Sequence, residues 1–457
     1  MKILGFDRKF IKEFFKVAAP AMLQQLIIFG GLLLNTLMIS GINNEAVSAV
    51  YAANQVSFLF ALPFNGIVFA AGIYIQQFFG SKDKERLLDS FRYKLVTVGL
   101  GFLLMVLLTV FLHKHLIAFY VRAETKPEEI TALALEYLPY IIASFAPYVF
   151  TTAYSTSMRE IGKTTQPTIA SIIAFLCQGI GNYIFIYVMG LGVQGAGLAT
   201  LIARLIELII IVVLSEKYQL FPIKDILGKF SIDRQLFKTI SLKGIPLLFN
   251  EILWGLGSVV LSLSFAARPN VLSALSIVYT MSNLYMILFV TISVGASVFI
   301  GNYLGAGEVE TAKENAEKLT NFSLFLGIIL GGIVVILSKW IPDLFVEVDL
   351  EQKKLATKLL IIYFAFVPVF VICTANAMIL RAGGKALLVF LLEEGLMWLL
   401  AIPLVFLLAK YTAVSIVWLY IIVQIVDFLK AVFGMILRRK VNWAQNLTVE
   451  YQQEKIV

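Results

Sequence analysis

Apolar stretches of about 20 residues or more, twelve in succession, limit what this chain can become. A helix of that length crosses a bilayer core about 30 Å thick. They run over residues 14–39, 47–79, 92–115, 131–158, 165–190, 194–215, 241–265, 272–304, 319–343, 356–382, 386–408 and 412–437. Backbone N–H and C=O groups find no partners in lipid, so each stretch is expected to be helical. The residue alternation that a membrane barrel needs is absent. The expected fold is an all-α polytopic membrane protein of about twelve transmembrane helices.

Composition agrees where it bears on this. The chain is 60% hydrophobic and 14% charged, with a mean hydropathy of +0.88, whereas soluble domains carry about 25% charged residues. A net charge of +8 raises the question of nucleic acid. The basic residues, however, fall in short loops between apolar stretches, where they set topology and meet anionic lipid. No nucleic-acid partner is expected. The loop 216–242, with Lys217, Lys224, Lys229, Arg234 and Lys238, places that side of the chain, and with it both termini, in the cytoplasm of a cell-membrane protein. The basic start (Lys2, Arg8, Lys9, Lys12, Lys16) leads into a run of spanning length rather than a cleavable leader. Cys177 and Cys373 lie in apolar stretches, so neither a disulfide framework nor a metal site is expected. The Gly-rich GLGVQGAGLAT (190–200) follows no strand and precedes no Lys, so it reads as a tight turn, not a phosphate loop. Nothing points to an enzyme or to a bound cofactor.

An internal repeat organises the stretches. Pro20 with Gln24-Gln25 corresponds to Pro246 with Asn250-Glu251, and QQFFGSKDKE (76–85) to NYLGAGEVE (302–310). MREIGK (158–163) corresponds to LRAGGK (380–385), and ARLIELIII (203–211) to VQIVDFLKA (423–431), which pairs Glu207 with Asp427. Two parallel six-helix lobes are expected, 1–215 and 241–457, joined by a basic cytoplasmic linker at 216–240 that reads as solvated or interfacial. Paired lobes of this kind enclose a cavity and rock against each other.

These residues resemble the multidrug and toxic compound extrusion (MATE) family. The resemblance rests on Pro20 with Gln24-Gln25, LNTLMISGINNEAVSAV (34–50), MREIGKTTQP (158–167) and NYIFIYVMGLGVQGAGLATLIARLIE (182–207). LRAGGK (380–385) and the stretch from EEGLMWLLAIPLVF (393–406) to RRKVNWAQNLT (438–448) complete it. It implies cation-coupled export of amphipathic, often cationic compounds by alternating access of two six-helix lobes. The wider group also holds flippases for lipid-linked saccharides, the alternative reading, for which Arg204 is the main intramembrane arginine able to meet a diphosphate. Many members carry an acid before a Thr in the first helix, where this chain has Asn35-Thr36. Some carry another acid four residues after an Asn in the fifth, where Ile186 follows Asn182. The acid of the seventh helix is present as Glu251, which shifts the expected coupling to the second lobe.

Candidate sites come from the polar residues inside the apolar stretches. A carboxylate at membrane depth costs about 2.5 kcal/mol or more and is usually functional. Glu251, a turn after the kink-forming Pro246, is therefore the candidate coupling group for H⁺ or Na⁺, with Asn250 beside it; a bracing role is the plainer alternative. Glu207 and Asp427 have basic neighbours three residues away in Arg204 and Lys430, so local ion pairs account for them. Glu394 opens the eleventh span and faces either a cavity or the interface. Gln25, Asn35, Gln55, Asn182, Tyr279, Asn283, Met286 and Asn376 are candidate cavity-lining residues for a small-molecule substrate. Interhelical hydrogen bonding is the plainer reading of any one polar residue among them, and core packing that of Tyr279 or Met286. Arg159 and Arg381, each at the inner end of a span, cap carbonyls and bear on a cytoplasmic gate. The protein is expected to work as a monomer in contact with membrane lipid.

Overall fold

The computed structural model describes residues 8–121, 126–228, 232–268, 271–345 and 348–456. Each apolar stretch corresponds to one helix long and apolar enough to cross a membrane: α1 (Arg8–Ser40), α2 (Glu45–Gly80), α3 (Lys84–Ala118), α4 (Pro127–Glu160), α5 (Thr165–Val188), α6 (Gly192–Lys217), α7 (Arg234–Ala266), α8 (Ser273–Gly305), α9 (Val309–Leu337), α10 (Leu350–Ala382), α11 (Ala386–Tyr411) and α12 (Ile416–Lys440). However, α9 stops short of residue 343 and α12 starts after residue 412. Two shorter α-helices lie outside the spans in the described chain, Ile223–Leu227 in the linker and α13 (Leu447–Ile456). Among the described residues every regular element is helical.

Several helices overrun their apolar stretches. α3 starts at Lys84, well ahead of the run that opens at residue 92, because Lys, Glu and Arg are good helix formers and carry the backbone ladder out of the lipid. Two local departures matter. α8 is interrupted between Ser282 and Tyr285, where the Asn283 amide donates to its own helix carbonyls at Tyr279 and Thr280, 3.1 and 3.4 Å away. In addition, α5, α8 and α11 contain π-helical turns at Tyr183–Val188, Ser297–Gly301, Leu391–Gly395 and Met397–Ala401. Such turns concentrate at functional positions.

Internal contacts group the chain into two units, one of Met1–Met22, Gln76–Lys82 and Phe249–Val457, the other of Leu23–Ile75 and Asp83–Leu248. In the first, an aromatic cluster fixes the start of α1. Phe14 packs edge-on against Phe322 at 5.0 Å and Phe10 lies 5.3 Å from Phe299. Small residues let backbones approach, as helices in lipid require. A side chain at Gly80 would strike the backbone of Asn302, and one at Gly305 the backbone of Gln77, so the ends of α2 and α8 cross there. The buried Gln77 then holds the C-terminal segment. Its amide donates to the carbonyls of Ala382 and Gln445 at 2.8 and 3.2 Å and accepts from the Leu447 N–H at 2.7 Å.

In the second unit, Ala46, Ala49 and Ala53 of α2 are buried with Ile39, Tyr137 and Ala196, and Gly195 and Gly197 of α6 lie against Phe185 and Tyr140. The linker is docked rather than solvated. Phe221 is buried and stacks on Phe91 at 4.3 Å, and the Arg92 guanidinium donates to the carbonyls of Ile226 (2.9 Å) and Asp225. Lys84 pairs with Asp225 at 2.7 Å and Arg86 with Asp233 at 3.2 Å. The linker's Asp225 and Asp233 are spent on α3, while its basic Lys217, Lys224, Arg234 and Lys238 stay exposed. Lys229 and Ser231 lie outside the described residues.

The repeated motifs have matching geometry. MREIGK and LRAGGK both end a helix with a left-handed glycine, Gly162 and Gly384, each at φ 78°. Lys163 N–H bonds Met158 at 2.7 Å and Lys385 N–H bonds Leu380 at 2.9 Å. That is a Schellman cap, which explains why Gly recurs at this position.

Candidate functional site

In the first unit, three helices bring polar side chains to one place. α7 supplies Asn250 and Glu251, a turn after Pro246, which cannot donate to the helix ladder. α10 supplies Arg381 from its last turn, and α11 supplies Glu393 and Glu394 from the π-turn Leu391–Gly395. The Arg381 side chain, 8% exposed, lies 3.1 Å from Glu393 and 3.8 Å from Glu251, itself 15% exposed. Arg381 also donates through Nη2 to Asn250 Oδ1, which turns the Asn250 amide so that Nδ2 donates to Glu394 Oε1 at 2.7 Å. Asn250 is therefore a bridge whose orientation the arginine dictates, since a guanidinium can only donate. Trp398 pins α11 to α7 by donating Nε1–H to the Leu253 carbonyl at 3.2 Å. On α12, Asp427 pairs with Lys430 at 2.9 Å and its carbonyl accepts from Cys373 at 3.2 Å.

The second unit has its own polar chain. Arg159 donates to Gln24 at 3.4 Å, Gln24 to Ser171 at 3.0 Å and Ser171 to Glu207 at 2.6 Å. Arg204 lies 4.6 Å above the Tyr148 ring and reaches the Ser144 carbonyl at 3.5 Å. Asn182, fully buried, donates to Asn35 at 2.9 Å. In the same unit, α3 and α4 are stapled by an ion pair. Lys94, with 0% side-chain exposure, meets Glu160 at 2.9 Å and donates to Ser157 at 2.9 Å.

The remaining cavity candidates are dispersed. The Gln55 amide donates to the hydroxyl of Tyr51 at 2.6 Å, and Gln25 and Met286 are half-buried. Tyr279 is 69% exposed, and Asn376, fully buried, donates to the Ala431 carbonyl at 3.4 Å. Sequence reasoning placed Asn250, Glu251, Arg381 and Glu394 in three separate roles, and the fold joins them into one network. It passed over the Lys94–Glu160 pair, although Lys94 stands inside a spanning stretch and an ionisable group there is itself a signal.

Comparison with known proteins agrees with this architecture. The MatE family profile matches residues 20–184 and again 246–407, once in each half of the repeat. The uncharacterized transporter YisQ of Bacillus subtilis is 24% identical over 82% of both chains, and so is the probable multidrug resistance protein YoeA of the same organism. Among solved structures, an outward-facing conformation of a multidrug resistance MATE family transporter superposes with a TM-score of 0.84 at 19% identity, covering 95% of this chain and 96% of that one. A transporter of the MOP superfamily from Pyrococcus furiosus superposes at 0.82 with 18% identity over 95% and 96%. Fold, repeat and family profile coincide: the chain is a multi-pass membrane transporter, not an enzyme, and belongs to the MatE family of multidrug and toxin extrusion proteins.

Proposed function

We infer that this efflux transporter is a cation-coupled antiporter. It exports small amphipathic, cationic compounds across the cell membrane in exchange for H⁺ or Na⁺, by alternating access of the halves 1–215 and 241–457 joined by 216–240. Both termini face the cytoplasm. The protein acts as a monomer among membrane lipids, without a cofactor beyond the transported cation. One observation carries the reading: three carboxyl groups, Glu251, Glu393 and Glu394, gather around one guanidinium and one amide inside membrane-spanning helices. Intramembrane ionisable residues are costly, and a net excess of acids in such a place suits the exchange of one cation for another. The name of YoeA, a probable multidrug resistance protein, supports the substrate class. Arg204, the arginine a lipid diphosphate would need, is already engaged with Tyr148 and Ser144, which favours antiport over saccharide flipping. The test is efflux of a panel of cationic dyes from proteoliposomes under an imposed pH or Na⁺ gradient. Dye movement indifferent to both gradients would overturn the coupling.

A further inference from the structure

The three carboxyl groups of the α7–α10–α11 cluster are not equivalent. Glu251 and Glu393 both face Arg381, at 3.8 and 3.1 Å. Glu394, 2% exposed, has no basic group within ion-pairing distance among the described residues. Its Oε1 accepts from Asn250, and its Oε2 is buried without a hydrogen-bond partner among the described residues. Asn250 cannot turn to help, because Arg381 holds its carbonyl end. A bare carboxylate oxygen in such an enclosure is strongly disfavoured, whereas a proton on it removes the charge. The donor set also separates the two candidate cations: one free oxygen suffices for a proton, while a sodium ion needs several around it.

We propose that the coupling proton is carried on Oε2 of Glu394, with Glu251, Glu393 and Arg381 as the fixed charges around it. This rests on the antiport reading and names the group within it. The groups facing Glu394 are Asn250 and Glu251 on α7, Glu393 on its own helix and Lys430 on α12, with Asp427 bonded to that lysine. On exchange the O–H bond breaks, the electron pair stays on Oε2, and the proton passes to water on the side that is open. Asn250 goes on donating to Oε1. A monocationic compound seated beside the ionised carboxylate then restores neutrality, one positive charge for one proton. Glu251 thus serves as a counter-charge for Arg381, not as the carrier.

The experiment uses the full-length protein in nanodiscs with ethidium as the probe, measuring dye affinity against pH and proton release on binding in weak buffer. In the wild type, affinity rises with pH and each dye bound releases a proton. In Glu394→Gln, affinity stays at the wild-type low-pH value at every pH and no proton is released. In Glu251→Gln, release persists with its pH dependence displaced. Retained release and pH dependence in Glu394→Gln overturns the assignment, whether or not Glu251→Gln loses them. A wild type that binds dye with no proton release overturns the assignment but leaves Na⁺-coupled antiport standing, which efflux under an imposed Na⁺ gradient tests separately. An infrared band of a protonated carboxyl at neutral pH supplies a readout free of dye. It is expected in the wild type and in Glu251→Gln, shifted in Glu394→Asp and missing in Glu394→Gln. Its persistence unshifted in both Glu394 variants overturns the proposal.

Discussion

Arg159 reaches the amide oxygen of Gln24 at 3.4 Å, the same arginine-to-amide bond that Arg381 makes with Asn250 in the other half of the repeat. Beyond the amide the two chains of hydrogen bonds diverge. Gln24 hands on to the hydroxyl of Ser171 and so to Glu207, whereas Asn250 ends directly on the carboxyl of Glu394. The two halves keep one frame and divide the chemistry.

The Ser171 relay is expected to be structural. Ser171→Ala leaves the Gln24 amide and Glu207 without their shared partner, at a cost of about 1–3 kcal/mol for a buried polar group left unsatisfied. The melting temperature in detergent falls while the pH dependence of dye binding stays where it was. A displaced pH dependence would give this half a share in coupling.

Lys94 and Glu160 make a second, sharper case. Removing one member of a buried pair strands the other, at about 3–5 kcal/mol, whereas replacing both with apolar groups of similar size is close to neutral. Lys94→Met and Glu160→Leu each destabilise the protein in thermal unfolding, and the double variant recovers most of the loss and still exports dye. If the double variant is as stable as the wild type but inactive, the pair serves transport and not packing.

Glycine substitutions are expected to part according to backbone geometry. Gly384 sits at φ 78° with the Leu447 side chain against it, while a methyl group added at Gly395 would meet nothing within 4 Å. Gly384→Ala is expected to destabilise by about 1–2 kcal/mol from the left-handed backbone alone. Gly395→Ala, inside a helix, is neutral or stabilising by up to about 1 kcal/mol. Equal melting temperatures for the two variants would contradict this.

Gln77 ties down the chain's last segment. Gln77→Ala orphans the Ala382 and Gln445 carbonyls and the Leu447 N–H, which that side chain now satisfies. The segment from Val441 onward is expected to become cleavable by trypsin at Arg438 to Lys440 under conditions where the wild type resists. Unchanged digestion would mean that Trp443 and Leu447, packed on Gly383 and Gly384, suffice to hold it.

Much of the fold was legible because its signals are local. Each apolar stretch declares its own helix, and the motif pairs announce the repeat because a left-handed glycine at Gly162 and Gly384 leaves few alternatives. The site was legible only in its members. Glu251 stood out because an acid in an apolar run is conspicuous, but its proximity to Arg381 spans two helices far apart in sequence. The pairing of Asp427 with Lys430 was readable at one-turn spacing and is present at 2.9 Å. At the same spacing, Glu207 accepts from Ser171 and Arg204 sits on Tyr148, because a long guanidinium has better partners across helices than along one. The docking of the linker escapes a reading by basic charge because Phe221, Asp225 and Asp233 make it, while Lys217, Lys224 and Lys238 stay exposed.

The π-turn at Leu391–Gly395 sets Glu394 against Asn250, and a turn of this kind is a helix holding one residue more than its regular pitch allows. Removing one residue there would rewind the helix by about 100° and carry Glu394 away from its amide while every other residue of the cluster kept its identity. The contact between Glu394 and Asn250, and with it the proposed proton site, can therefore be gained or lost by a single-codon insertion or deletion. Comparisons that tally only substitutions would pass over it.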